Sequence, residues 1–270
     1  MTRATWAMSD GLLHPVRPSA PVRALYVKRL EDAITALHRS VAYWLTAQWR
    51  RDTPATVAND ASPVVELRRQ LRKRGRLWRG KFRELAAKLA LEFAGKSQAH
   101  VDRALAGMLR DNGVSIKFRL SRAMNQTVQA TVDAQVALIT GLAEDHLKRV
   151  EGYVMRSIQT GRDLKQLTDD LEDGLGIARR RAAFIARHQT NIATATMART
   201  RGLELGCEEG EWLHSAGGKH PRPEHVAFSG KRYKLEKGAY LEGKWTHPGV
   251  EPNCRCVSRL VLPSRVELAA

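Results

Sequence analysis

Residues 221–230, PRPEHVAFSG, and residues 252–257, PNCRCV, are the two stretches that decide the fold of the C-terminal part of this chain. Prolines, a histidine, a glycine and two cysteines crowd into them, which is unusual for a plain hydrophobic core. Residues of these types commonly set a loop geometry, bind a ligand, or do both. The two stretches therefore predict a pair of loops that lock a small fold.

The sequence pattern beyond Gly206 differs from that of the preceding chain. Helical periodicity stops there, and short strand-like runs alternate with turn signals. The runs are GEWLHSA at 210–216, KRYKL at 231–235 and CVSRLVLP at 256–263. We expect a small α+β module at 206–270, a size at which a fold is marginal without a metal or a surface to dock on.

The chain before this module predicts a helical body at 22–205, preceded by an extended arm at 1–21 that contains three prolines. Apolar residues recur in steps of four and three and form one stripe along the first helix of the body. They are Leu30, Ile34, Leu37, Val41 and Trp44. The expected fold class is therefore mainly α, with a helical N-terminal body and a small C-terminal α+β module.

The rest of the body predicts a series of further helices. A loop of small residues and prolines at 52–63 separates the first helix from the others, and Gly174 and Gly176 end a short amphipathic one. The predicted helices cover 64–93, 98–110, 121–159, 164–175 and 177–202.

The chain is strongly basic, with 45 Lys and Arg against 28 Asp and Glu and a net charge of +17. Such a surplus indicates a polyanionic binding partner, which could be nucleic acid, an anionic membrane surface or an acidic protein. Nine cations fall between Glu66 and Glu84. They are Arg68, Arg69, Arg72, Lys73, Arg74, Arg76, Arg79, Lys81 and Arg83. This basic stretch is either a surface that contacts DNA phosphates or an acidic partner, or a solvated helical face.

Neither a signal peptide nor a membrane-spanning stretch is indicated by the sequence. Three cysteines do not make a disulfide framework, which fits a reducing compartment. We expect a protein that is made and used in a cytoplasm.

The motifs of the C-terminal half occur in a distinctive order. GRDLxxL at 161–167 and ARRRAAFIARHQTNIA at 178–193 come first, and a tryptophan strand, PRPEHVAFSG and PNCRCV follow. In this order they resemble the phage Mu F-like family of head morphogenesis proteins. The resemblance covers 160–263, and its specific elements are Arg222 with His225, Gly230, and Asn253 to Cys256.

The sequence departs from the family pattern at one place. Arg187, His188 and Gln189 stand where the family often has Arg-Thr-Glu, so any role of that glutamate does not carry over to this chain.

The resemblance implies a minor capsid protein of a tailed phage or prophage, located in the virion near the portal vertex and in the host cytoplasm during assembly. The implied partners are the portal protein, other head proteins and packaged double-stranded DNA, bound without sequence preference. The resemblance implies no established enzymatic activity. The basic stretch is what a protein beside packaged DNA needs.

The histidines and cysteines of the module make a candidate structural zinc site. Cys254 and Cys256 face the same way if their run is extended, so both can meet His225 at one ion. Candidates for a fourth ligand are His220, His214, His247 and Cys207. The predicted zinc ligands are therefore His225, Cys254 and Cys256, with His220 as the fourth. Cys-x-Cys is an uncommon spacing for zinc ligands. In the alternative interpretation, the cysteines are small buried hydrophobic residues and His225 is a hydrogen-bonding core residue.

Other residues of the module have structural interpretations. Trp212 and Trp245 predict core positions, and Gly230 predicts a positive φ in the turn before the strand at 231–235. Arg222 and Asn253 complete the structural motif of the two loops.

The alternative function is a DNA-binding protein or a metal-dependent nuclease with a His/Cys site. The acidic residues of the module have no paired spacing that would hold Mg²⁺. They include Glu224, Glu236, Glu242 and Glu251. We therefore expect no catalytic residues.

Overall fold

The computed structural model describes residues 3–4, 11–51, 62–161, 163–217, 220–263 and 266–267. Five helices form in this part of the chain. They are α1 at Ala20–Arg51, α2 at Ser62–Asp111, α3 at Arg122–Gln159, α4 at Leu164–Glu204 and the short α5 at Pro223–Ala227. Among these described residues, no helix is both long and apolar enough to cross a lipid bilayer. The predicted fold class, mainly α with a small C-terminal α+β module, is confirmed.

Seven short strands complete the described structure. They are β1 at Arg3–Ala4, β2 at Glu209–Leu213, β3 at Arg232–Lys234, β4 at Ala239–Leu241, β5 at Lys244–Thr246, β6 at Val257–Val261 and β7 at Val266–Glu267. The central sheet has the order β3-β2-β6 and is antiparallel, while β4 pairs with β5 and β1 with β7. All three strand-like runs of the sequence lie in the central sheet. The sequence did not predict β4 and β5, because three residues are too few to show alternation.

The chain divides into two compact units. The first contains Met1–Arg23, Glu92–Val132 and Arg187–Ala270, and the second contains Ala24–Leu91 and Asp133–Ala186. This division differs from the predicted body at 22–205 and module at 206–270. The reason is that the strands of the C-terminal module pack on the last turns of α4, so that these turns belong with the module.

The second unit is an all-helical core. The predicted stripe on α1 is buried along its whole length, from Leu30 to Trp44. Polar contacts join its helices: the Tyr26 hydroxyl donates to Gln135 Oε1 at 2.9 Å, and Arg79 Nε lies 2.6 Å from Glu144 Oε1. The apolar stripe thus holds the helices together as the spacing predicted.

The first unit is built around the central sheet and the end of α4. A Cβ added to Gly202 would lie only 2.6 Å from Leu260 Cδ2, so helix and sheet approach as closely as glycine permits. The segment before α1 also docks here: the Leu13 amide donates to the Leu260 carbonyl at 3.0 Å, and the Leu262 amide to the Gly11 carbonyl at 2.7 Å. The described part of the predicted arm thus extends the edge of β6. Residues 1–2 and 5–10 of the arm lie outside the described residues.

Two helix breaks that the sequence predicted are wrong. The helices predicted at 64–93 and 98–110 are one helix, α2, since an isolated glycine such as Gly95 costs only about 1 kcal/mol inside a helix. Those predicted at 164–175 and 177–202 are likewise the single helix α4. Gly174 lies there against the ring of Tyr153, whose Cε2 would be 2.7 Å from an added Cβ, so this glycine permits close packing. Residues 52–61 of the predicted loop lie outside the described residues.

Candidate functional site

His225, Cys254 and Cys256 form a buried cluster in the first unit. His225 Nδ1 lies 3.6 Å from Cys254 Sγ and 3.8 Å from Cys256 Sγ. All three ligand atoms lie within 4.8 Å of one another. The two loops that the sequence singled out therefore meet at these three side chains.

Local chain geometry places each member of the cluster. Pro223 begins α5, and its single turn buries His225. Cys254 and Cys256 are both buried while Arg255 between them is exposed, as expected for an extended run in which alternate side chains share a face. The predicted common orientation of the two cysteines is confirmed.

Trp212 forms one wall of the cluster. Its indole is fully buried and meets the His225 ring edge to face, with 5.0 Å between the ring centroids. Phe228 and Tyr233 pack on the same indole at 5.9 and 6.0 Å. The predicted core position of Trp212 is confirmed, and the apolar wall excludes water from the thiols.

The predicted core position of Trp245 is wrong. Its side chain is 51% exposed on β5, where it stacks with Tyr240 on β4 at 5.5 Å between centroids. Lys237 Nζ lies 4.1 Å from the centroid of the same indole. The two-stranded hairpin is too small to cover both faces, so that its aromatic pair remains at the surface.

The two thiols differ in their electrostatics. A hydrogen bond from Cys256 lowers the pKa of Cys254 to about 5, against the opposing effect of burial. Backbone amides of Cys256 and Gly249 and the ring of His225 act in the same direction and are part of this shift. The hydrogen bond to Cys254, together with burial, raises the pKa of Cys256. The pair therefore gives up its first proton more readily than an isolated thiol does.

This cluster has the chemistry of a zinc site. Thiolates and imidazole are ligands that Zn²⁺ prefers, and Zn–S of about 2.3 Å with Zn–N of about 2.0 Å gives a tetrahedral S···N edge of about 3.6 Å. The two S···N distances in the cluster, 3.6 and 3.8 Å, are close to that edge. His225, Cys254 and Cys256 could thus supply three ligands to one zinc ion.

His220, the predicted fourth ligand, is not brought to the cluster. It is exposed and lies outside the group of ligand atoms. The correction leaves three of the four predicted ligands together.

The sequence analysis missed the contribution of α4 to this site. The Asn191 side-chain amide donates to the Cys254 carbonyl at 3.0 Å. His188, one turn earlier, is close enough for the charge of Cys254 to raise its pKa, although burial has the larger, lowering effect. Their spacing of three residues places both on one helix face, but nothing in the sequence identified the partner of that face.

The remaining motif residues fix the loops. The Arg222 guanidinium donates to the Pro252 carbonyl at 3.2 Å and lies 3.6 Å from a carboxylate oxygen of Glu242. Asn253 has φ of 61°, a left-handed conformation that asparagine tolerates better than most residues, and its side-chain oxygen accepts a bond from Arg187 at 3.4 Å. Arg222 thus ties the first loop to the second.

Gly230 ends the first loop in the conformation that the sequence predicted. Its φ is 82°, and its amide donates to the Trp212 carbonyl at 2.7 Å. The turn therefore connects α5 to the central sheet directly beside the cluster.

The basic stretch lies on α2 in the second unit, and seven of its nine cations are exposed. Arg79 pairs with Glu144, and Arg74 packs over the Trp44 ring at 5.0 Å. At 100° per residue, the positions 68, 72, 76, 79 and 83 lie within an arc of about 80°. Four of the five arginines on this arc are exposed and form a basic stripe, Arg68, Arg72, Arg76 and Arg83.

The buried cluster of His225, Cys254 and Cys256 contains no carboxylate. Within the described residues, His225, Cys254 and Cys256 are the one group of histidines, cysteines and acids whose ligand atoms converge. The hard cation of a magnesium-dependent nuclease prefers oxygen ligands, and this cluster supplies nitrogen and sulfur.

Residues 148–259 match the family model described as phage Mu protein F like protein. The match confirms the resemblance that the motifs indicated. An uncharacterized protein of Haemophilus influenzae is 26% identical over 176 residues, which cover 64% of this chain and 38% of that protein. The chain therefore spans less than half the length of this relative. No solved structure matches the chain.

Proposed function

We propose, from the match of residues 148–259 to the family model of phage Mu protein F like protein, that this chain acts in phage head morphogenesis as a minor component of the head. The observation that carries the proposal is the convergence of the family motifs in one place. The two loops meet at two points: Arg222 donates to the Pro252 carbonyl, and His225 lies beside Cys254.

We further propose that the second unit provides contacts with the portal and other head proteins. Its helices carry large apolar side chains that remain exposed, among them Tyr43 on α1 and Leu77 and Leu91 on α2. Exposed apolar groups of this size are favourable docking points for a protein partner. Their positions on rigid helices suit a binding mode in which a helix face meets a groove.

The basic stripe supports packaged DNA as a further partner. Arg68, Arg72, Arg76 and Arg83 lie on one side of α2, at spacings of four, four and seven residues. An array of this kind neutralises phosphates without reading bases. The contact we propose is therefore electrostatic and independent of sequence.

We propose a structural role for the buried cluster, with zinc as its ligand. His225, Cys254 and Cys256 are each buried, and Trp212 packs on the His225 ring. Structural zinc sites are closed in this way and contribute directly to folding, which a module of this size needs.

The experiment that tests the function is quantitative mass spectrometry of purified heads from a host that encodes the chain. We expect a few copies per particle, in constant ratio to the portal. A His225→Ala variant should be lost from heads, since its module no longer closes. His220→Ala, which changes an exposed histidine of the same module, should be incorporated normally. Absence of the unaltered chain from both immature and mature heads would overturn the proposal.

A further inference from the structure

The first unit contains a cavity of about 420 Å³ that is separate from the buried cluster, although it shares Cys256 as a wall residue. The segment before α1, the last turns of α4 and the loops and strands of the C-terminal module enclose it. A volume of this size lies within the range of small-molecule sites, which is about 300–1,000 Å³. The cavity is thus large enough for a nucleotide-sized ligand.

The lining of this cavity is strongly and uniformly positive. Five arginines contribute to it, and no aspartate or glutamate does. The arginines are Arg17, Arg23, Arg187, Arg199 and Arg255. Three of the five are exposed, whereas Arg187 and Arg199 are half-buried. Like charges gathered around a cleft attract an anion, most strongly where burial lowers the effective dielectric constant.

Arg199 is the central member of this set. It is half-buried on α4, and none of the carboxylates in the described residues forms an ion pair with it. Burial lowers its pKa, and its charge in turn lowers the pKa of His247. Arg201, two residues further along the same helix, shows the contrast, because Asp102 and Glu204 both pair with it. A half-buried guanidinium without a carboxylate is costly unless another anion compensates it.

Further polar residues, His247, Ser215 and Tyr233, line the same space. Nδ1 of His247 is buried and has no hydrogen-bond partner in the described residues. Ser215 contributes a hydroxyl to the lining, and Tyr233 lies beside Arg199 with its hydroxyl bonded to Ser258 at 2.7 Å. Guanidinium groups that surround such donors match the tetrahedral oxygens of phosphate, which accept several charge-assisted hydrogen bonds at once.

We propose that this cavity is a binding site for a small phosphate-bearing ligand, with Arg199 as the residue that pairs with the phosphate. Inorganic pyrophosphate and a nucleoside diphosphate share this chemistry and fit the volume. A DNA duplex does not enter a cavity of this size, so the site is distinct from the basic stripe of the second unit. The proposal goes beyond the head-assembly role and stands on the charge and shape of the cavity alone.

The test is isothermal titration calorimetry on the full chain at constant ionic strength, with pyrophosphate and ADP as probes. We expect saturable binding that Arg199→Gln weakens at least tenfold. Arg122→Gln is the matched control, because it removes one exposed arginine of the same unit that does not line the cavity, and it should leave this binding unchanged. Tighter binding of ADP identifies a nucleotide, and equal binding of both probes identifies a site that recognises phosphate alone.

Three results would overturn the proposal: no saturable binding of either probe, unchanged binding by Arg199→Gln, or equal weakening in Arg122→Gln. If Arg199→Gln does not fold, Arg23→Gln takes its place, since Arg23 also lines the cavity. Weakened affinity for a DNA duplex in Arg199→Gln, without any effect on pyrophosphate, would assign the arginines to DNA instead. Failure of the chain to enter heads would leave this site untouched, so that the two proposals fail separately.

Discussion

Arg201 on α4 grips both carboxylate oxygens of Asp102 on α2, with Nε 2.7 Å from Oδ1 and Nη2 2.9 Å from Oδ2. The guanidinium is 1% exposed. Its Nη1 donates to Glu204 at 2.7 Å and to the Arg119 carbonyl at 3.0 Å. Every direction of this buried cation is thus satisfied, and the network joins two helices of the first unit to the segment between α2 and α3.

Replacement of Arg201 by methionine should destabilise the first unit strongly. The change fills a similar volume but leaves Asp102 and Glu204 facing each other without a cation, which costs roughly 3–5 kcal/mol. Urea unfolding followed by circular dichroism measures this loss. Arg232→Gln is the control, because its pair with Glu209 is at the surface and worth less than about 1 kcal/mol. Equal losses in the two variants would contradict the assigned role of the network.

The zinc assignment predicts one zinc ion per chain in protein purified without chelators, measured by inductively coupled plasma mass spectrometry. Cys254→Ser should remove the ion and lower the melting temperature, since a thiolate ligand is lost. Cys207→Ser is the matched control, because Cys207 is also buried but stands outside the cluster. A metal-free chain that melts unchanged in the presence of EDTA would overturn the assignment and leave the cluster as hydrogen-bonded core.

The second unit should lose stability as the pH falls below about 6.5. Burial, the neighbouring His38 ring and Arg149 lower the pKa of His146 to about 4 in the folded state. Its ring lies 5.4 Å from that of His38, whose pKa burial also lowers. The unfolded chain therefore binds more protons than the folded one between pH 6.5 and 4, and stability is full above this window and lost within it.

Urea unfolding at pH 7.5 and pH 5.0 measures this effect. At pH 5.0 the His146 effect should lower the free energy of unfolding by roughly 2 kcal/mol, because each pH unit below about 6.5 corresponds to 1.36 kcal/mol. His146→Gln should show a smaller difference between the two conditions. His220→Gln, which changes an exposed histidine, should retain the difference of the unaltered chain. An identical pH dependence in all three proteins would contradict the prediction.

The basic stripe predicts DNA binding that weakens steeply with salt. The slope of log K against log salt is negative, and each phosphate contact adds about 0.9 to its magnitude. Arg72→Gln combined with Arg76→Gln should therefore reduce this magnitude by about 2. Fluorescence anisotropy with two unrelated duplexes measures this slope and should give the same value for both. Lys148→Gln combined with Arg180→Gln removes two exposed cations elsewhere in the second unit and serves as the control. An equal change of slope in both double variants would show a response to net charge alone.

Gly238 and Gly243 form a matched pair for testing the tight packing of the C-terminal module. Both have positive φ, 90° and 75°. A Cβ at Gly238 would lie 2.5 Å from the Thr246 carbonyl oxygen, whereas nothing lies within 4 Å of one at Gly243. We expect Gly243→Ala to cost about 1–2 kcal/mol from backbone strain alone. Gly238→Ala should cost roughly 2–5 kcal/mol, because overpacking adds to the strain. Equal losses in thermal unfolding would contradict the packing described.

Sequence reasoning succeeded where a local pattern has one physical meaning. The steps of four and three from Leu30 to Trp44 predicted a buried stripe, and all its members are buried. The spacing of Cys254 and Cys256 predicted a shared face, and proline and glycine marked the ends of the loops. Each of these signals depends on residues that are close together in the chain.

It failed where the deciding contact comes from distant residues. Asp102 and Arg201 are 99 residues apart, and neither has a neighbour in sequence that marks it as one half of a buried pair. Gly174 was interpreted as a helix end because the Tyr153 ring that fills its place belongs to another helix. The cavity depends on Arg17, Arg199 and Arg255 from three segments, and only the fold brings their charges together.

The docking of residues 11–13 on the edge of β6 constrains when the chain can fold during synthesis. Arg259 Nε donates to the Leu13 carbonyl at 3.3 Å, a contact between residues 246 positions apart. At 5–20 residues per second, the ribosome needs roughly 12–50 s to make the intervening chain. The helices of the second unit are synthesised before that, so they can assemble before β6 exists to pair with residues 11–13. A nascent chain that stalls before residue 257 would leave Leu12 and Leu13 without their strand, and chaperones would be most needed at that stage.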